Sequence, residues 1–241
     1  MLIDLHAHTS GISTCCKADG AAALAAARSV GIDGICLCNH YHKPYLKVTN
    51  ETPAAFAARY LEEYYSVKAL EAETGVRVFF GIEVSMECRD FVHVLIYGVE
   101  PDFVLQHTEM FDYDEQKLYD VVHANGGILV QAHPLRHNNN LLLEPCYLDG
   151  VEFSNHLLYE GTHYHELAPF ATQHGLLVTS GGDYHADTPR AKCGVYLPDN
   201  LQNTHEIARY LQKASHIHLC LQESKDQPSY DVVFQKQPTL Q

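Results

Sequence analysis

Residues 1–9 read Met1-Leu-Ile-Asp-Leu-His-Ala-His-Thr9, and the reading of this stretch decides the fold. Ile3, Leu5 and Ala7 alternate with Asp4, His6 and His8, the period-2 pattern of a β-strand. Side chains at i and i+2 share a face, so His6 and His8 point the same way from neighbouring pleats. Two imidazoles held like that can grip one cation without any rearrangement of the backbone. A strand with two merely hydrogen-bonded histidines would carry the same pattern, so the decision passes to the rest of the chain.

Working outward, a polar loop over 10–19 leads into an alanine-rich helix over about 20–29, stopped by Gly31. Residues 34–38 form a short buried strand that delivers Asn39 and His40 to its end. A long amphipathic helix is expected over 53–73, then a strand over 76–84 with Glu83 at its exit, then a strand over 91–97 containing His93. A helix over 113–125 and the Gly126-Gly127 break precede a strand over 128–132 that ends in His133. Further strands at 150–153 and 176–180 flank a helix over 160–174, and the second runs into Gly182-Asp-Tyr-His185. A helix over 204–213 and an apolar piece near Ile217 close a domain expected to span 1–222, followed by a loosely held polar tail over 223–241. Alternating strands and helices argue an α/β fold with a parallel sheet or barrel, whose active site assembles at the C-terminal strand ends. His6, His8, His40, Glu83, His133, Asn155, Asp183 and His185 all fall at or just past such ends.

Composition narrows the function. A hydrophobic share of 46% over 241 residues supplies a full core for one larger domain. The net charge is −14 with no Lys/Arg cluster, which argues against a duplex nucleic-acid partner. A small phosphorylated substrate stays compatible, because bound dications reverse the local field. Seventeen histidines far exceed ordinary use, and a metal site would employ several. The eight cysteines form no C-x-x-C pair and no disulfide framework, so reduced thiols in a cytoplasmic protein are expected. No apolar run approaches the ~18 residues of a membrane span, and no signal-type segment precedes the first strand.

Asp4-Leu-His-Ala-His-Thr9, Asn39-His40, Gly81-Ile-Glu83, His93 between two valines, Ala132-His-Pro134 and Gly182-Asp-Tyr-His185 together resemble the ordered motifs of the PHP superfamily, the polymerase and histidinol phosphatase group of metal-dependent phosphoesterases. The match runs over residues 4–185, about three quarters of the chain. Each motif is short; six in order are specific. The resemblance implies a distorted (β/α)7 TIM-like barrel as a single domain, with a trinuclear metal site at its C-terminal mouth. It implies that His6, His8, Glu83 and Asp183 hold a first metal. Glu83 would bridge to a second with His93 and His133, and His40 and His185 would belong to a third. The chemistry agrees: a carboxylate has two oxygens and bridges, whereas an imidazole gives one nitrogen to one cation. Two or three divalent transition metals, Zn, Mn or Fe, suit such ligands.

Two departures from the family pattern stand out. Cys38-Asn39-His40 replaces the usual Thr-Asp-His, which keeps the histidine and alters a supporting contact. The loop after His8, which normally gives a His or Asp to the third metal, offers Cys15, Cys16, Asp19 or only space for water.

The resulting expectation is a phosphoesterase acting on a small phosphate ester, with a phosphomonoester such as a nucleoside phosphate or histidinol phosphate favoured. A hydroxide bridging two cations would attack phosphorus in line, at a centre formed by Glu83, Asp183, His185 and Arg136. Arg136 is the first choice for a phosphate clamp and Arg190 the second, since a guanidinium matches phosphate oxygens bidentately. Tyr184 is a candidate wall of the substrate pocket. Cys36 and Cys38 are expected to pack in the core. His137, His156, His163, His165 and His174 are expected as surface or supporting groups, and Glu62, Glu63, Glu71 and Glu73 as a solvated helix face. The rival readings are an amidohydrolase-type barrel, which also opens with His-x-His, and a metal-retaining regulatory domain without turnover.

Overall fold

The computed structural model describes residues 1–89, 92–136, 142–159 and 161–236. The chain begins with β1 (Leu2–Ala7), α1 (Gly20–Ser29), β2 (Gly34–Leu37), β3 (His40–Tyr41), α2 (Lys43–Thr49), α3 (Pro53–Lys68) and α4 (Glu71–Thr74). It continues through β4 (Arg77–Phe80), β5 (Ile82–Ser85), β6 (His93–Tyr97), α5 (Phe103–Gln106), α6 (Glu115–Ala124), β7 (Ile128–Gln131) and β8 (Gly150–Ser154). Then come α7 (Tyr164–His174), β9 (Leu177–Gly181), β10 (Gly194–Tyr196), α8 (Thr204–Lys213), β11 (His216–Leu221) and β12 (Tyr230–Gln235). Among the described residues no helix is long and apolar enough to cross a membrane.

The helices start where local chemistry satisfies their free N–H groups. Asp19 caps α1 by accepting from Ala22 N at 2.8 Å, and Thr52 caps α3 from Ala55 N at 3.2 Å with Pro53 at the first position. Helix α3 buries Phe56, Ala57, Tyr60, Tyr64 and Val67, one stripe at helical spacing. The helix expected over 53–73 is two pieces, with the ladder tightening between them where Leu70 N donates to Val67 O at 3.0 Å. Two acidic residues expected to be solvated are engaged: Glu63 accepts from Thr9 Oγ1 at 2.5 Å and Glu71 from Val78 N at 2.5 Å.

The strands form two six-stranded sheets, ordered β12-β11-β10-β1-β2-β4 and β3-β5-β6-β7-β8-β9. Strands β1, β2 and β4 run parallel, as do β3 with β5 and β7 with β8 and β9. The parallel sheet expected from the sequence is nevertheless mixed, for β6 lies antiparallel between β5 and β7. A parallel return needs a crossover of about a dozen residues, and the link from Ser85 to His93 is too short for one. The tail expected to be loose carries β12, which pairs antiparallel with β11 from Tyr230 to Gln235; residues 237–241 lie outside the described ones.

The two sheets are joined where the chain crosses from β2 into β3 and from β4 into β5. At the second crossing a Cβ on Gly81 would sit 2.5 Å from Cys38 Sγ and 2.7 Å from Cys36 Sγ. Both thiols are fully buried there, so they pack the core as the sequence suggests. A third junction links β1 to the end of β9: Asp183 N donates to His6 O at 2.8 Å, and Ala7 bridges to Tyr184. Gly181 permits this approach, since a Cβ would lie 2.3 Å from His6 Cβ. These junctions bring the C-terminal ends of β1, β3, β5, β7 and β9 to one place.

Candidate metal centre

Every residue expected as a metal ligand converges at that place. His6 and His8 come from β1 and the residues just past it, His40 from β3, Glu83 from β5 and His93 from the start of β6. His133 follows β7, and Asp183 and His185 follow β9. His133 and Asp183 have φ of 30° and 47°, unfavourable for side chains with a Cβ, so the surrounding structure holds them there.

Glu83 sits at the middle, fully buried. Its Oε1 faces His93 Nδ1 at 2.9 Å, His133 Nε2 at 3.0 Å and His6 Nε2 at 3.5 Å. Its Oε2 faces His40 Nδ1 at 2.5 Å and His8 Nε2 at 3.5 Å, with no hydrogen bond formed in either direction. Asp183 turns Oδ1 toward His8 Nε2 at 2.8 Å and His6 Nε2 at 3.5 Å, again with no hydrogen bond. Four ligand atoms of His6, His8, Glu83 and Asp183 therefore lie within 4.8 Å of one another. His40, Glu83 and His93 form a second such group, and His8, His40 and His185 a third.

Hydrogen bonding fixes which nitrogens carry lone pairs. Ser13 Oγ donates to Asn39 Oδ1 at 2.9 Å and accepts from His40 N at 3.0 Å, so it also accepts the proton of His8 Nδ1 at 3.1 Å. His6 Nδ1 donates to Glu152 Oε1 at 2.9 Å. The two Nε2 atoms, 3.0 Å apart, then face each other with lone pairs. His185 Nδ1 donates to Asp183 O at 2.8 Å, which leaves its Nε2 lone pair 3.4 Å from His40 Nε2. Opposed lone pairs beside unpartnered carboxylate oxygens call for positive charge between them, and divalent cations fit that requirement.

The electrostatics agree. Burial would raise the Glu83 carboxyl, but His40, His6 and His93 outweigh it and hold it well below the usual range. Asp183 is likewise held well below its ordinary value, with burial overcome by Arg136 and His6. Burial disfavours protonated His6, yet Glu152, Asp183 and Glu83 raise it well above normal; Glu83 and Cys15 raise His40 to about 10 against its burial. Without a cation, protons take up the positive charge that the carboxylates demand. Burial and then Arg136 push His133 down to about 3, which keeps it neutral and able to ligate.

Glu152 belongs to this centre although sequence reading passed over it. It is fully buried, and its Oε2 accepts His133 N at 2.8 Å while Oε1 takes the His6 proton. Burial raises its carboxyl despite His6, the mark of a group placed at cost. The only available signal was a carboxylate between Val151 and Phe153 in an apolar strand. Ser13 was missed too, hidden in a polar loop.

The other expected residues sort clearly. Arg136 spends one N–H of each terminal nitrogen on Asp183 Oδ2 at 2.5 Å and Ser154 Oγ at 2.6 Å, and stacks on Tyr159 at 4.6 Å. Arg190 lies buried against Asp4 at 2.5 Å with Tyr184 stacked on it, so both leave the substrate side. Asn155 bonds Phe153 O, Ser180 Oγ and Gly181 O, and so ties β8 to β9 instead of entering the centre. Asn39 receives Thr9 N at 2.8 Å and gives its amide to Thr9 Oγ1, holding the loop after His8. Asp19 is the α1 cap, and Cys16 turns its thiol to Ala18 O at 3.6 Å. Cys15 instead lines the pocket over the centre, a space of about 250 Å³ shared with His40, Arg136, His156, Tyr159 and Asp187. His163 opens α7 and His174 ends it, while His137 lies outside the described residues.

No family profile and no curated protein matches this sequence. Solved structures do. A proposed metal-dependent phosphoesterase from Bifidobacterium adolescentis aligns with TM-score 0.57 at 17% identity, covering 87% of this chain and 94% of that one. PsfC from Pseudomonas syringae aligns with TM-score 0.57 at 17% identity over 85% of this chain and 86% of its own. An amidohydrolase from Chromobacterium violaceum, solved with bound sulfate and no metal, gives TM-score 0.55 at 17% identity over 87% and 96%. At this identity the likeness is one of fold.

Proposed function

We propose that this chain is a metal-dependent phosphoesterase of the PHP type that hydrolyses a small phosphate ester. The observation that carries the reading is Glu83, one buried carboxylate whose two oxygens face different sets of histidines. In this reading the two sheets, joined at Gly81, at Asn39 and at the β1–β9 contact, are the halves of a distorted (β/α)7 barrel. His6, His8, Glu83 and Asp183 hold one cation, Glu83 with His93 and His133 a second, and His40 with His185 a third. When bound, these cations would lower the pKa of water near neutrality and neutralise charge developing on phosphoryl oxygens.

The chain's own residues do the rest. Glu152 and Ser13 fix the tautomers of His6 and His8. Arg136 orients Asp183 through one N–H and lines the pocket, where an anionic substrate would meet its guanidinium. His156 Nδ1 accepts Leu158 N at 3.3 Å, so its proton sits on Nε2, on the side of Asp187 and the pocket, where it can donate to a phosphoryl or leaving oxygen. A space of about 250 Å³ admits a phosphate with a small leaving group and suits a monoester better than a polymer. The amidohydrolase-like fold keeps amide and lactone hydrolysis as the second reading.

Turnover on matched panels of phosphate monoesters, phosphodiesters, amides and lactones tests this. We expect hydrolysis of an aryl phosphate that chelation abolishes, and loss of both bound metal and hydrolysis in His6→Ala and Asp183→Ala. Turnover confined to amides or lactones, or undiminished after metal removal, would overturn the reading.

A further inference from the structure

We infer that Glu223 is a positioning residue for substrate: it fixes the pocket wall formed by His156 and Tyr159, and so makes the β11–β12 hairpin part of substrate recognition. The inference rests on the phosphate-ester reading above and extends it to a residue outside the metal centre.

The wall is a turn that burial supports only weakly. Leu158 and Tyr159 are 61% and 39% exposed, although the Tyr159 ring carries the Arg136 guanidinium and lies 4.8 Å from the His156 ring. Holding such a turn still falls to its hydrogen bonds. At its start Asn155 N donates to Gly181 O at 2.8 Å. Within it Tyr159 N donates to His156 O at 3.1 Å, and Gly161 N returns to Tyr159 O at 2.9 Å. Gly161 and Thr162 then line a narrow cleft that they share with Arg136, His156 and Tyr159.

Two consecutive residues just past β11 grip both ends of this turn. Gln222 N donates to Asn155 Oδ1 at 2.7 Å. Glu223 accepts Thr162 N through Oε2 at 2.7 Å and Thr162 Oγ1 through Oε1 at 2.8 Å. Thr162 is buried, and Tyr230 at the start of β12 donates its hydroxyl to the same carboxylate. Burial would raise the Glu223 carboxyl, but the bonds from Tyr230 and Thr162 outweigh it and hold it below its ordinary value, so it accepts as a carboxylate.

These bonds serve the substrate side and not the cations. Among the described residues Glu223 bonds Thr162 and Tyr230, and neither is an expected ligand. Releasing Thr162 frees the far end of the turn, and with it the Tyr159 carbonyl that Gly161 holds. The near end stays fastened by Asn155, so His6, His8, Glu83 and Asp183 keep their places. Loss of Glu223 should therefore reach substrate binding and leave the bound metal alone.

Two readouts on the full chain test this. The chain has no tryptophan, so Tyr159→Trp places a single fluorophore on the wall. In that background Glu223→Ala should lower its anisotropy. Glu223→Gln should restore it, because the amide oxygen can take Thr162 N while the two hydroxyls rotate to accept the amide N–H. With Tyr159 unaltered and 4-nitrophenyl phosphate as the probe, Glu223→Ala should raise KM about tenfold, the effect of roughly one misplaced substrate hydrogen bond. Bound metal per chain and kcat should hold, and Glu223→Gln should again restore KM. Thr162→Val removes one bond from the opposite side, should move both readouts the same way, and carries the test if Glu223→Ala fails to fold. Either readout unchanged in a folded Glu223→Ala, or metal lost together with the rise in KM, would overturn the assignment. Anisotropy that falls while even the unaltered chain leaves the ester intact would keep the positioning of the wall and sink the proposed activity.

Discussion

Glu152 has two carboxylate oxygens and two N–H groups to satisfy, His6 Nδ1–H and the His133 backbone. A glutamine of the same shape has one acceptor and one donor, so either flip of its amide sets a donor against a donor. One flip drives the His6 proton to Nε2, where it blocks the metal; the other unsettles the His133 turn. Glu152→Gln should therefore weaken metal binding by about 10–100-fold while the chain stays folded. Chelator competition measures it, and unchanged affinity would remove Glu152 from the centre. This residue also marks the limit of reading at its scale. His6, His8, Glu83 and Asp183 could be read because they are ligand types at strand ends. Glu152 could not, because a buried carboxylate and a solvent-facing one look alike between Val151 and Phe153. Arg190 shows the converse: its place near the last motif suggested substrate, and Asp4 claims it instead.

Among the elements, the contact of β1 with the end of β9 places His6 and His8 against Asp183. Gly181 makes that contact possible, since a Cβ there would lie 2.3 Å from His6 Cβ, 2.5 Å from Glu152 Oε1 and 2.8 Å from His6 N. Two of those neighbours belong to β1 itself and cannot swing aside. Gly181→Ala should cost about 1–3 kcal/mol of stability, read by denaturant unfolding, and should also reduce bound metal. A variant with full stability and full metal content would mean that the strands meet differently. Most helices and strands were legible from period and punctuation, as Gly31 and the Gly126-Gly127 break illustrate. The antiparallel β6 was not, because alternation along a strand says nothing of its direction; only the short link from Ser85 does. Strand β12 was hidden by the polar residues that a sheet edge carries on its open side.

At the level of the whole molecule, the eight residues expected as ligands, spread from position 6 to position 185, end in one cluster around Glu83. No local pattern does this; it follows from strand order, which brings the C-terminal ends of β1, β3, β5, β7 and β9 and the start of β6 together. The order of the motifs along the chain was readable, and with it which residues would meet. How the cluster divides among cations was not, since His40 approaches both Glu83 and His185 and only coordinates reveal that. Anomalous diffraction at the zinc edge, on crystals of zinc-loaded protein, addresses the division directly. The account predicts strong peaks on both sides of the Glu83 carboxylate, one enclosed by His6, His8 and Asp183 and the other by His93 and His133. A Glu83 with no metal within bonding distance of either oxygen would contradict it.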